Sequence, residues 1–201
     1  MNWQDKFSGV EDTAYPNLKI VSLLYKKGLY DVLYGKVVIR CAYDKITYFD
    51  INHWFVSNKK KNLGPYNSGL YYVDNGRGRL VVPVAYKDIS ITGYDKLFWV
   101  KKKFWTLYNK GLPLYNDGII SREYVSIRQG LDNLWWVADN VYCGLLNIIT
   151  NDFVVPLRKI KSVREIDTDL RKIDNILAGE LDGRIFYLDA DTLLPATEAS
   201  L

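Results

Sequence analysis

Residues able to do chemistry are sparse in this chain. His53 is its single histidine, so a multi-histidine metal site is excluded and any catalytic triad would have to use this residue. Its neighbours Asn52 and Trp54 complete no metal-ligand spacing, which favours a histidine packed at a strand end. Cys41 and Cys143 stand far apart without a Cys-x-x-Cys pattern, and we expect buried thiols. The expectation is no metal and no cofactor.

Carboxylates are numerous but form no diagnostic motif. A glycosidase needs two acidic side chains that face each other across a sugar, and spacing along the chain does not reveal such a pair. Asp189-Ala190-Asp191 resembles a fragment of a calcium loop without the remaining ligands. Gly76-Arg77-Gly78 falls in a predicted hairpin, whereas phosphate loops open a helix. We therefore expect no enzyme, with a hydrolase using paired carboxylates as an alternative.

Basic residues form short clusters, and the formal net charge is +4. Lys101-Lys102-Lys103 is followed directly by Phe104-Trp105, a combination that can hold single-stranded nucleic acid or a carbohydrate polymer. Lysines that protect hairpin ends and edge strands from aggregation are the simpler interpretation. A binding module for nucleic acid or carbohydrate is therefore kept as an alternative.

The elements that carry these residues are short strands. Apolar and β-branched residues recur with period two, as in Val37-Val38-Ile39 and Leu70-Tyr71-Tyr72-Val73, and turn residues separate them. Asp74-Asn75-Gly76 and Tyr34-Gly35 supply the positive φ of tight hairpins. One segment, 162–177, has apolar residues near helical spacing and predicts a short helix or, alternatively, a pair of strands.

The strands repeat with a period of roughly 40 residues. Lys27-Gly28-Leu29-Tyr30-Asp31 returns as Ser68-Gly69-Leu70-Tyr71-Tyr72, 41 positions later. Fainter copies begin near Lys103, Gly144 and Gly183. An apolar residue stands seven positions before three of the glycines; the pairs are Val21 and Gly28, Val137 and Gly144, and Ile176 and Gly183. The second unit breaks this spacing because residues 62–67 look inserted.

These repeats resemble the bacterial WG-repeat family, also called KWG repeats. The matching segments of the first two units are Lys27-Gly28-Leu29, Val38-Ile39, Tyr43-Asp44-Lys45-Ile46, Gly69-Leu70, Val73-Asp74, Val81-Val82-Pro83 and Tyr86-Lys87-Asp88-Ile89; those of the fourth unit are Gly144-Leu145 and Val154-Val155-Pro156. The tryptophan that the family places before glycine is replaced by Lys27, Ser68, Cys143 and Asp182. The resemblance spans residues 19–195 and implies an interaction module without catalytic residues.

The predicted fold is all-β, with about five four-stranded units. They predict a five-bladed β-propeller closed by pairing of N- and C-terminal strands, and an open β-repeat array is the alternative. Residues 1–17 are predicted as an N-terminal extension, 18–195 as one repeat domain and 196–201 as a tail. The units within the domain lie near 28–68, 69–102, 103–143, 144–182 and 183–195, the last completed by 18–27.

The expected function is a non-catalytic scaffold that binds another protein, of the kind that serves as a bacterial antidote, inhibitor or effector-associated module. Tyrosine, with 16 copies, suits such surfaces. The candidate anchors are Tyr66, Arg77, Arg79, Lys101, Lys103, Trp105 and Tyr108. No secretory signal and no apolar run long enough for a membrane span is present, so a cytoplasmic location and no membrane partner are expected.

Overall fold

The computed structural model describes residues 2–59, 67–111, 118–159, 170–173, 176–181, 184–189 and 191–194. A short 3-10 helix at Trp3–Lys6 precedes the strands. The strands in chain order are β1 (Gly9–Glu11), β2 (Leu18–Leu23), β3 (Lys26–Asp31), β4 (Lys36–Tyr43), β5 (Lys45–Tyr48), β6 (His53–Asn58), β7 (Asn67–Asp74), β8 (Arg77–Tyr86), β9 (Asp88–Ile91), β10 (Leu97–Lys101), β11 (Trp105–Asn109), β12 (Ser126–Gln129), β13 (Leu134–Ala138), β14 (Tyr142–Asn147), β15 (Asp152–Lys159), β16 (Leu170–Ile173), β17 (Ile176–Leu181) and β18 (Arg184–Asp189).

Each sheet is built from strands that are consecutive in the chain. The orders are β1-β2-β3-β4, β5-β6-β7-β8, β11-β10-β9, β12-β13-β14-β15 and β16-β17-β18, and the three four-stranded sheets are antiparallel throughout. One residue, Asp44, separates the first two sheets, and Lys87 alone separates the second from the third. A four-stranded antiparallel meander is the form of a propeller blade. The predicted all-β repeat of blade-type sheets is confirmed.

The recurring glycines lie at irregular points of the sheets. Gly28, Gly69 and Gly144 each stand on the third strand of a sheet, where the register with the fourth strand shifts. Val21, Val56 and Val137 are their cross-strand partners on the second strand. The seven-residue spacing seen in the sequence is therefore the register of a tight hairpin, and the repeated glycine marks a β-bulge.

Some sequence-based expectations differ from the structure. Both edges of β2 are filled by β1 and β3, so this strand does not pair with a C-terminal strand as the predicted closure requires. The residues at 9–11, assigned to the N-terminal extension, form the edge strand of the first sheet. Residues 170–173 and 176–181 are paired strands, so the helix alternative for 162–177 is wrong there, and 162–169 lie outside the described residues. The domain and unit boundaries stay a prediction.

The chain divides into two units by its internal contacts. Unit 1 comprises Met1–Ile91 and Val100–Lys103, and unit 2 comprises Thr92–Trp99 and Phe104–Leu201. In unit 1, Leu29 of the first sheet packs in one cluster with Ile46 and Trp54 of the second. In unit 2, buried clusters form around Trp99 and Trp136. Five large aromatic side chains are buried, namely Trp54, Phe98, Trp99, Trp135 and Trp136.

Candidate functional site

One end of unit 1 carries exposed apolar side chains on rigid turns. We call it the hairpin-end surface, defined by the β3–β4 turn (32–35), the β5–β6 loop (49–52) and the β7–β8 turn (75–76). Leu33 is 70 % exposed, Phe49 62 % and Ile51 51 %. Three large apolar side chains on adjacent turns, each mostly in water, are the pattern of an interaction site.

The β3–β4 turn is held by a buried carboxylate. Asp31 Oδ1 accepts hydrogen bonds from the backbone N–H of Leu33 at 3.0 Å and of Tyr34 at 3.2 Å. The Tyr34 ring lies against the β7–β8 turn, because a Cβ added to Gly76 would be 2.6 Å from Tyr34 Cγ. The Tyr34 hydroxyl donates to Asn75 Oδ1 at 3.4 Å. The two turns therefore hold each other in place.

The β5–β6 loop is fixed by a second carboxylate. Asp50 Oδ1 accepts from the backbone N–H of Asn52 at 2.8 Å and of His53 at 2.7 Å, and Asp50 Oδ2 lies 2.9 Å from His53 Nδ1. Asn52 Nδ2 donates to the carbonyl of Val73, and Trp54 Nε1 donates to the carbonyl of Ile51. Burial would raise the pKa of Asp50, but the bonds from His53 and Asn52 outweigh it and lower that pKa.

Between these turns lies a small cavity. Its volume is about 130 Å³, and its walls include Leu33, Ile51, Asn52 and Asn75. This is too small for a drug-sized ligand, for which pockets of about 300 Å³ or more are usual. It has the size to accept a single side chain of a partner protein, flanked by the exposed Leu33 and Ile51.

A row of side chains runs from this surface across the second sheet. His53 is the cross-strand partner of Tyr72, and Tyr72 is the partner of Arg79. The His53 ring meets the Tyr72 ring edge-on at 5.3 Å, and Arg79 Cζ lies 5.3 Å from the centre of the same ring. Arg77 follows the β7–β8 turn directly and is exposed. An arginine over a tyrosine beside apolar turns matches the composition of binding hot spots.

The site residues predicted from the sequence fall at several places. Arg77 and Arg79 border the hairpin-end surface. Lys101 and Lys103 lie in unit 1, at the strand ends opposite to the hairpin-end surface, and both interact with other residues. Trp105 and Tyr108 lie half-buried on β11 in unit 2, where Trp105 packs against the cluster around Trp99. Tyr66 and the rest of the insertion predicted at 62–67 lie outside the described residues, except Asn67, which is the first residue of β7. The roles of these residues stay a prediction.

The sequence reasoning missed Leu33, Phe49 and Ile51, which carry the apolar part of the surface. Leu33 and Ile51 stand next to turn residues, as in Leu33-Tyr34-Gly35, whereas Phe49 ends the strand-like run Lys45-Ile46-Thr47-Tyr48-Phe49. Large apolar residues inside predicted turns were the available signal, because turns normally expose polar side chains.

In the described part of the chain, His53, Cys41 and Cys143 are all at least partly buried. No group of three or more His, Cys, Asp or Glu side chains there could hold a metal ion. His53 contacts Asp50 and the ring of Tyr72. Cys143 is buried as expected, and burial raises its pKa to about 11, which disfavours the nucleophilic thiolate. Cys41 is only half-buried, and burial likewise raises its pKa.

Replacing Asp50 by Asn should change how stability depends on pH. The pKa of Asp50 in the folded chain lies below its usual 3.8, so its stabilising effect is present above that value and is lost as pH falls through the folded pKa. The loss of unfolding free energy in D50N should be larger near about pH 6 than near about pH 3. We expect a small effect, because the carboxylate is 43 % exposed. Urea unfolding at both pH values measures it, and equal losses would contradict it.

No helix in the described ranges has the length and apolar character needed to cross a membrane.

No protein-family model matches the chain, and no curated protein matches it. Many solved structures are similar to it, and the chain covers about six tenths of the length of the three described next. A eukaryotic initiation factor matches with 12 % identity and a TM-score of 0.47, over 96 % of this chain and 56 % of that one.

Two further matches have similarly low identity. Hsv2 of Kluyveromyces lactis matches with 14 % identity and a TM-score of 0.38, over 90 % of this chain and 59 % of that one. The WD40 domain of SCAP from fission yeast matches with 8 % identity and a TM-score of 0.41, over 97 % and 62 %.

Proposed function

We propose that the protein is a non-catalytic scaffold that binds another protein through the hairpin-end surface. The observation that carries the proposal is the exposure of Leu33, Phe49 and Ile51 on turns that hydrogen bonds hold in place. Because the backbone of these turns is already held in place, little backbone entropy is lost on binding, and burial of the apolar side chains favours association.

The composition of the surface favours a protein over other ligands. Burial of exposed leucine, isoleucine and phenylalanine side chains against an apolar partner surface removes them from water and lowers the free energy of the complex. The cavity beside them is of side-chain size. Arg77 and Arg79, both exposed on β8, can meet acidic or carbonyl groups of a partner. An apolar centre with a polar border is the usual anatomy of a protein–protein interface.

The family, the kind of partner and the compartment are proposed from the sequence. The repeats support membership in the WG-repeat family, whose members are regarded as interaction modules. An antidote or inhibitor that covers a bacterial enzyme is one concrete form of such a scaffold. We propose the cytoplasm as the compartment, where the thiols of Cys41 and Cys143 would stay reduced.

Site-specific photo-crosslinking tests the proposal. A photoreactive amino acid at position 33 or 49, expressed in the native host, should give one covalent adduct of discrete mass, whose partner mass spectrometry identifies. The same group at Ile149, an exposed apolar residue of unit 2, is the matched control and should not give that adduct. Absence of a discrete adduct from both positions 33 and 49 would contradict the proposal.

A further inference from the structure

The β2–β3 hairpin turns on two residues that are poorly suited to its geometry. Leu23 and Lys26 are cross-strand partners, so Leu24 and Tyr25 form the whole turn. Their φ angles are +49° and +65°, the pair of positive values of a type I′ turn. Large L-residues are disfavoured there because Cβ crowds the backbone.

The same chain contains the favoured solution. The β7–β8 hairpin also turns on two residues, between the partners Asp74 and Arg77. These residues are Asn75 and Gly76, with φ of +47° and +67°, the sequence that a type I′ turn prefers. The Leu24-Tyr25 turn therefore costs stability that an Asn-Gly turn would not.

Contacts with the described residues do not offset this cost. Tyr25 is 97 % exposed and Leu24 is 80 % exposed, so water surrounds nearly all of both side chains. Leu23 beside them is also exposed. Backbone strain that persists without internal compensation is characteristic of functional positions.

The neighbourhood of this turn is basic. Asp44 connects it to the end of β6, because Asp44 Oδ1 lies 2.5 Å from Lys26 Nζ while Asp44 Oδ2 accepts from the backbone N–H of Lys59 at 2.7 Å. Lys27 is paired with Glu11 at 2.6 Å. The tip-end surface of unit 1 comprises Leu24, Tyr25, Lys26, Lys27, Asp44, Lys45, Lys59, Lys87 and Lys102.

This surface has more lysines than its ion pairs neutralise, so the exposed lysines give it a positive charge. Lys45 follows Asp44 in the chain, and Lys59 contacts the Asp44 carboxylate through its backbone N–H. Both lysine side chains are exposed. Lys87 donates its backbone N–H to the carbonyl of Lys101 at the same strand ends, and its side chain is exposed. Lys102 is exposed above the Tyr86 ring at 5.6 Å. Asp88, also exposed, offsets part of this charge.

We propose that the tip-end surface binds anionic lipid bilayers, with Leu24 and Tyr25 entering the interface and the lysines meeting the headgroups. A protruding aliphatic and aromatic tip surrounded by lysines has the two components of peripheral membrane attachment, apolar insertion and attraction to negative lipids. This goes beyond the proposed function, uses a different surface, and departs from the expectation of no membrane partner.

Nucleic acid fits the same charge less well. Single strands bind in basic grooves lined with aromatic platforms on which bases stack. Here the apolar group protrudes, and Leu24, the first residue of the turn, offers no face for stacking. A lipid interface accepts both residues, because tyrosine favours the headgroup level and leucine the acyl boundary.

Vesicle sedimentation of the full chain tests the proposal. Wild type should bind phosphatidylcholine vesicles that contain phosphatidylserine, release them as salt rises, and bind poorly to phosphatidylcholine alone. Leu24→Asn combined with Tyr25→Gly, which copies the Asn75-Gly76 turn, should weaken binding by about tenfold or more. The same double variant should unfold at higher urea concentration than wild type, so a lost interaction would not reflect misfolding.

Two further variants separate this surface from the hairpin-end surface. Lys45→Glu combined with Lys59→Glu should reduce binding to the anionic vesicles, whereas Leu33→Asp combined with Phe49→Asp should bind them as wild type does. Failure of wild type to bind anionic vesicles, or equal binding by the turn variant, would overturn the proposal. Tighter binding of a labelled single-stranded oligonucleotide than of the anionic vesicles would also overturn it.

Discussion

Replacing Gly28 or Gly144 by alanine is expected to lower the free energy of unfolding by about 3 kcal/mol. A Cβ at position 28 would lie 2.6 Å from the carbonyl oxygen of Ile39 and 2.8 Å from the backbone nitrogen of Cys41. At position 144 it would lie 2.7 Å from the carbonyl oxygen of Val155. These contacts are with backbone atoms of the fourth strand, so the strand pairing itself must shift.

The measurement is urea unfolding, with the slope of the transition compared between variants. Gly9→Ala is the matched control, because it also lies in a strand but its nearest neighbour would be Ser22 Cβ at 3.7 Å. It should change stability by no more than about 0.5 kcal/mol. If Gly28→Ala and Gly9→Ala had the same midpoint, the β-bulge would not explain why glycine recurs in the repeat.

Leu33→Asp combined with Phe49→Asp should weaken binding of the crosslinked partner by at least about a hundredfold, or about 2.7 kcal/mol. Both side chains are mostly exposed in the free chain, so the substitutions leave the core unchanged. In a complex, each would place a charge against an apolar partner surface, and that desolvation is costly. Titration calorimetry with the purified partner measures the change.

The control for this pair must be apolar, exposed and outside unit 1. Ile149→Asp meets these conditions and should bind the partner as wild type does. Unfolding midpoints of all three proteins should agree closely, which excludes a folding defect. Wild-type affinity in the double variant would remove the hairpin-end surface from the interface.

The repeat pattern made the sheets predictable. The spacing of seven residues from Val21 to Gly28 and from Val137 to Gly144 is a hairpin register, and the structure pairs these residues across strands. The alternation of apolar residues, interrupted by turn residues, then predicted short strands joined as antiparallel hairpins. The prediction was wrong at β2. Because the repeat units were counted from the glycines, β2 was assigned to the last unit, and its true neighbour β1 was left in the N-terminal extension.

The candidate surfaces were less predictable because their residues are distant in sequence. Leu33 and Phe49 belong to different hairpins, and only packing of the first sheet against the second brings their turns to one end. The Leu24-Tyr25 turn has no turn-forming residue, so composition does not reveal it. The spacing of Val21 and Gly28 does indicate where this turn lies, because pairing of these two residues leaves two residues for the turn.

Hydrogen–deuterium exchange of the protein, free and bound to its crosslinked partner, tests the role of the hairpin-end surface most directly. We expect slower exchange on binding at residues 32–35, 49–52 and 75–79, with the tip around Leu24 unchanged. Protection confined to other segments, with these three unaffected, would contradict the account.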